Sequence, residues 1–269
     1  MEFHVGYLQL RASRNPQRTR HTGRLLGTLA LLVAASIAAP KADATIIKSP
    51  PWADFFSAKY PTANGLDTRA SGNSARSWTA ATGYTATNSV TGTAPTSMNT
   101  YHAQADAVWG FFGHGGEGGG WIQMYNMNTA TDSILRSTRD FGSCSAPDDC
   151  ITDYVGGPIS RMKLMLFAGC YTGMDGKPGM SYQGSLLRSA SDGAGVDVAV
   201  GFNTTVDWPA MDTWTDWFFG RLNNGYTTVD ALQAAKNRVY AVYGSYRGTD
   251  MWVARLNTNV KISPAGYGS

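Results

Sequence analysis

The chain has 269 residues, of which 22 are Lys or Arg and 19 are Asp or Glu. That length suits one large or two small domains and is ample for a hydrophobic core. The formal charge of +3 resides in residues 1–44, which hold six basic and two acidic residues; beyond them 16 basic and 17 acidic residues remain, so a nucleic-acid partner is not expected.

Residues 1–24 carry Arg11, Arg14, Arg18, Arg20 and Arg24, followed by LLGTLALLVAASIAA and then PKADA. A basic region, an apolar region and a small-x-small site ending at Ala44 form the pattern of a secretory signal peptide over 1–44. The apolar run falls short of the roughly 20 residues of a membrane span, so no stable membrane insertion is expected after cleavage. Residues 45–105 read as a polar N-terminal segment. Within it, 45–72 are irregular, 74–82 form a short helix, YTATNSV forms a strand, and 91–104 form a loop.

From Asp106 the pattern sharpens, and residues 106–269 are the expected core. DAVWGFF is a continuous apolar run, the signature of a buried parallel strand. It ends in GHGGEGGG, with six glycines between Gly113 and Gly120 around His114. WIQMYNM reads as a further strand, and residues 128–160 are polar. KLMLFAG (163–169) is a second buried strand, with Cys170 directly after it. GSLLRSASDG reads as a helix and VDVAVGF as a third strand. Two amphipathic helices follow, AMDTWTDWFFGRLNNG with a Gly stop and TTVDALQAAKNRVYAVYG with a Thr cap. MWVARL is a last strand. Alternating strands and helices predict an α/β sheet, with its site at the carboxyl ends of the strands. His114 and Cys170 both fall there.

The cysteine count bears on chemistry. Of Cys144, Cys150 and Cys170, the first two bracket the tight loop CSAPDDC and are the natural disulfide pair of an oxidising compartment. Cys170 is then a free thiol. A thiol is nucleophilic as thiolate, and a nearby imidazole favours that form. Glycines beside the histidine let backbone N–H groups approach a developing oxyanion.

The two strand-end motifs, GFFGHGGEGG and LMLFAGCYTG, resemble those of the caspase-like (clan CD) cysteine peptidases. The downstream stretches GSLLRSASDGAGVDVAVGFNTTVDWP and FFGRLNNG leading into TTVDALQAAKNRV look most like CHAT-domain proteases. The resemblance spans roughly residues 74–257. It implies a caspase-like three-layer sandwich with a mainly parallel central sheet flanked by helices. It also implies His114 as catalytic histidine, Cys170 as nucleophile, and Gly115 as an oxyanion donor together with the Cys170 amide. Asp207, after the third strand, falls where pocket residues sit in such enzymes, and an aspartate there would favour Arg or Lys before the cut. The chain departs from the pattern in its short polar region before Asp106, which suggests lost or degraded opening strands, and in the unmatched 128–160 insertion.

The expected function is therefore an exported, secreted or periplasmic cysteine endopeptidase acting on peptide or protein substrates without a cofactor. The alternative is a secreted caspase-like domain that binds and does not cleave. Each motif also has a bland reading. His114 serves as a loop histidine or Cys170 as an inert core thiol. His102 is a solvated loop residue. HGGEGGG resembles the oxyanion loop of lipases and esterases, but no G-x-S-x-G elbow accompanies it. Asp140, Asp148, Asp149 and Asp153 match no EF-hand spacing, and no metal site is expected. Trp208, Trp214, Trp217, Phe218 and Phe219 fit core packing at helical spacing. The oligomeric state is open.

Overall fold

The computed structural model describes residues 51–61, 65–90, 106–116, 118–127, 129–137, 142, 144–145, 148–151, 162–175 and 185–262. The expected signal peptide (1–44), His102, Asp140 and Asp153 lie outside them.

Six strands form the main sheet: β1 (Trp52–Ser57), β2 (Thr85–Ser89), β3 (Asp106–Phe112), β8 (Leu164–Ala168), β9 (Val198–Phe202) and β10 (Trp252–Leu256). Their order is β10-β9-β8-β3-β1-β2, and every pair is parallel except β9 with β10. A smaller sheet has the order β4-β5-β6-β7, from β4 (His114–Gly115), β5 (Trp121–Asn126), β6 (Thr131–Arg136) and β7 (Asp149–Cys150).

Strand alternation sorts the main-sheet side chains onto two faces. Phe55, Val108, Phe112, Leu164, Leu166, Val200 and Phe202 join one core cluster. It is completed by α1 (Arg69–Ala81), α3 (Trp208–Asn223) and α4 (Thr228–Tyr243), through residues such as Ala75, Trp214, Phe218, Phe219, Leu232 and Val239. Phe56, Trp109, Phe111, Met165 and Phe167 face the other way, onto Ile122, Met124 and Leu135 of the small sheet. Leu186, Leu187 and Ala190 complete that layer from α2 (Leu186–Arg188), which continues as a π-helical turn over Ser189–Gly193. The result is the expected three-layer α/β sandwich, with one outer layer helical and the other mainly a small sheet.

The aromatic series divides as its helical spacing implies. Trp214, Phe218 and Phe219 are buried, while Trp208 and Trp217 pack partly buried at the core's edge. Thr227 caps α4 by accepting from the Asp230 N–H, and Gly244 closes it in the left-handed region.

The reading of 45–72 as irregular is corrected at both ends. WADFFS is a strand whose residues from Ala53 onward are all buried. The prolines before it and Asp54 within it hid the run. Asp54 is tolerated there because the Thr87 hydroxyl donates to it from β2. The helix expected over 74–82 begins at Arg69. Ser71 and Gly72 read as turn residues, yet they lie on the buried face of α1, where small size allows close approach. The main sheet therefore takes two strands from before Asp106. The polar stretch 128–160 supplies β6 and β7. There Asp148 accepts from the Ile134 N–H and from Arg136, while Cys144 and Cys150 form a disulfide. Asp148 thus clasps its loop to β6. Among the described residues no helix is long and apolar enough to cross a membrane.

Candidate active site

β3 and β8 are adjacent and parallel, with Phe112 beside Ala168 in register. The pairing persists one step further, since the Gly113 N–H donates to Ala168 O at 3.0 Å. The chain after β3 then becomes β4, and the chain after β8 turns at Gly169-Cys170-Tyr171. The two strand-end motifs therefore meet through their backbones. A Cβ on Gly115 would overlap the Cys170 carbonyl oxygen and the Thr172 methyl, which only glycine avoids. Gly119, in the same glycine-rich stretch, has a φ of +68° and lies against the Met174 carbonyl.

The β4–β5 register orients the Gly115 amide. Gly115 lies opposite Ile122, and the neighbouring Gly116 N–H donates to Trp121 O at 3.2 Å. In an antiparallel ladder this alternation turns the Gly115 N–H away from β5. Its nitrogen sits beside Gly169, at 3.2 Å from where a Gly169 Cβ would stand.

His114 is half-buried, and its ring meets Tyr60 edge-on at 4.7 Å between centroids. The Tyr60 hydroxyl donates to Gln123 O at 2.9 Å. Nε2 of His114 is buried without a hydrogen-bond partner among the described residues. Burial holds the imidazole below its ordinary pKa, and Asp132 pulls weakly the other way. The neutral ring is thereby favoured over the cation. No hydrogen bond joins His114 to Cys170 among the described residues; their motifs meet through the backbone of Gly115 and Cys170.

Cys170 is a free, half-buried thiol. Its turn is tight: Tyr171 has a φ of +60°. Thr172 pins the turn, its hydroxyl lying 2.6 Å from Phe167 O and 2.9 Å from Gly169 O and accepting from the Phe202 N–H at 3.2 Å. The turn also leans on β9, with the Tyr171 N–H donating to Thr204 O at 3.0 Å and the Gly173 N–H to Phe202 O at 2.8 Å.

Asp207 follows β9 as the residue before α3, and Arg247 Nη1 donates to its Oδ2 at 2.6 Å. With Thr204, Thr205, Val206, Arg247 and Gly248 it lines an open pocket. Tyr60, Thr172 and Arg247 were not found from sequence. Tyr60 lies in the stretch that reads as irregular, Thr172 lies inside LMLFAGCYTG without chemistry of its own to single it out, and Arg247 lies 40 residues from its partner. Among the described residues no cluster of three metal-ligating side chains occurs.

No family model and no curated protein matches this chain. Among solved structures, the Arg specific cysteine proteinase gingipain R aligns with a TM-score of 0.55 at 13% identity over 78% of this chain. The complex of Porphyromonas gingivalis RgpB pro- and mature domains aligns with a TM-score of 0.43 at 10% identity over 78% of this chain and 48% of that one. This chain spans about half the length of gingipain R, covering 47% of it. The likeness is one of architecture: the chain has the caspase-like α/β fold seen in gingipain R.

Proposed function

We propose that this chain is an exported caspase-like cysteine endopeptidase, with Cys170 as nucleophile and His114 as acid–base. One observation carries the reading: Gly115, next to His114, packs directly on the Cys170 main chain. The two motifs, 56 positions apart, thereby form one site in which a glycine amide faces the nucleophile's turn. The family resemblance, closest to CHAT-domain proteases, and the shared fold support it. The N-terminal leader pattern and the Cys144–Cys150 disulfide support export.

The chemistry follows from the groups present. His114 takes the Cys170 proton, and the thiolate attacks the substrate carbonyl to form a tetrahedral oxyanion. The amides of Gly115 and Cys170 hold that oxyanion. On collapse the C–N bond breaks, His114 gives its proton to the leaving amine, and a thioester remains. Water, deprotonated by His114, hydrolyses the thioester and regenerates the thiol. The steps need no cofactor.

The test is hydrolysis of a fluorogenic peptide panel by the purified protein, with Cys170→Ala alongside. The panel varies the residue before the cut through Arg, Lys, Asn, Asp and Leu. Cleavage that vanishes in the variant supports the peptidase. Silence across the panel, together with a Cys170 that resists alkylation at neutral pH, supports the binding domain instead.

A further inference from the structure

The pocket beside Cys170 is already charge-neutralised from within. It is tied to the nucleophile's turn by one hydrogen bond: the Tyr171 N–H, one residue on from Cys170, donates to the carbonyl of Thr204, the first residue of its lining. Its acid, Asp207, is held at two points by Arg247. The guanidinium donates to the carboxylate at 2.6 Å, and the Asp207 N–H donates to the Arg247 carbonyl at 3.2 Å. The guanidinium also lies over the Tyr243 ring, 4.6 Å from its centroid, so it is braced on one side by the aromatic face and on another by the carboxylate. Arg247 has a φ of +50°, in the left-handed region that a bulky residue seldom adopts. A strained backbone that aims a side chain into a pocket points to function.

We infer that Arg247 is a specificity-determining residue: it occupies the guanidinium position of the substrate pocket and sets the pocket against Arg or Lys before the cut. This rests on the reading of Cys170 as nucleophile. A basic side chain entering here must displace Arg247 from Asp207, and an acidic one meets the Asp207 carboxylate. The pocket thus selects an uncharged side chain, with Thr204 and Thr205 as its polar lining. Specificity here works by closing the pocket to the wrong charge.

The test separates binding from catalysis. Arginine amide is titrated calorimetrically into the full chain carrying Cys170→Ala, alone and combined with Arg247→Met. Methionine keeps the apolar stem and removes only the donors. Arg247→Gln serves as the second variant should Arg247→Met not fold. The expected result is at least about tenfold tighter binding without the guanidinium, abolished again by Asp207→Asn, as a charge-assisted pair demands. Equal affinity with and without Arg247, whether measurable or absent in both, overturns the inference. Peptide hydrolysis with Cys170 intact is the parallel arm. A binding gain with no cleavage of any peptide keeps Arg247 as the group that bars basic side chains from the pocket, and sinks the peptidase together with the pocket's place before the cut. Cleavage with an unchanged preference keeps the peptidase and sinks the inference.

Discussion

Two neighbouring regions at the strand ends of the main sheet, one past β3 and β8 and one past β9, handle polar groups in opposite ways. Past β3 and β8, His114 keeps a buried ring nitrogen without a hydrogen-bond partner among the described residues, and Cys170 remains a free thiol. Past β9, Asp207 and Arg247 satisfy each other at 2.6 Å. Buried polar groups are normally hydrogen-bonded, and the acid–base role proposed for His114 would give the nitrogen at the first end a partner in the substrate. The paired charges at the second end need no such partner. What separates the two is pairing: one end, the open one, leaves its groups unpaired among the described residues, while at the other, the filled one, the chain's own guanidinium pairs with the acid.

The widest gap between the two ends is opened by Cys170→Ala. It should lower peptide hydrolysis by at least about 10³-fold, as loss of a nucleophile does, while leaving the melting temperature nearly unchanged. Asp207→Asn should alter peptide preference and leave hydrolysis of the best uncharged peptide within a few-fold. Parallel kcat/KM measurements decide it. Equal losses from both substitutions would erase the distinction between the ends.

His114→Gln comes next, with an expected loss of about 10²–10⁴-fold in kcat/KM. It also has a signature in stability. Burial depresses the folded-state pKa of His114 below its ordinary value of about 6.5, so the folded state binds that proton less tightly than the unfolded state. The resulting stability is present above pH 6.5 and is lost as pH falls through the folded-state value. Tyr60 faces the ring, and Asp132 opposes the shift. His114→Gln should therefore be more stable relative to the parent chain at pH 5 than at pH 8. Melting curves at the two pH values that stay parallel would mean that the ring titrates freely, and its buried nitrogen would then carry no argument.

Gly115→Ala sharpens the comparison with a single methyl group. The added Cβ must push against the Cys170 carbonyl and the Thr172 methyl, shifting the amide or the nucleophile. Misplacement by about 1 Å costs on the order of 10²-fold in rate, and overpacking costs about 1–3 kcal/mol of stability. Steady-state kinetics alongside denaturant unfolding separate the two effects.

The open end was more legible in sequence than the filled one, for physical reasons. His114 and Cys170 each follow a continuous apolar run, and such runs announce buried strands without further information. Asp207 was also placed by its strand, but its state depends on Arg247, which α3 and α4 carry back across the molecule. No local pattern encodes that return. The same limit hid β1 and the start of α1. Asp54 and Gly72 look like breakers until Thr87, Ser57 and Asn88 are seen around them. The two-residue strands β4 and β7 are too short for any periodicity to register.

The smallest expected effect lies at the joint between the two ends. The Thr172 hydroxyl accepts from Phe202 at the end of β9 and serves two carbonyls of the Cys170 turn. Thr172→Val keeps the shape of the side chain and removes all of these contacts. Leaving such buried groups unsatisfied costs about 1–3 kcal/mol, readable as a lower denaturant midpoint. The rate should fall only a few-fold, because Gly115 and His114 are positioned by β4 and its pairing with β5. A rate loss as large as that of Gly115→Ala, at unchanged stability, would instead make Thr172 part of the open end and move the boundary between the two ends to the far side of β9.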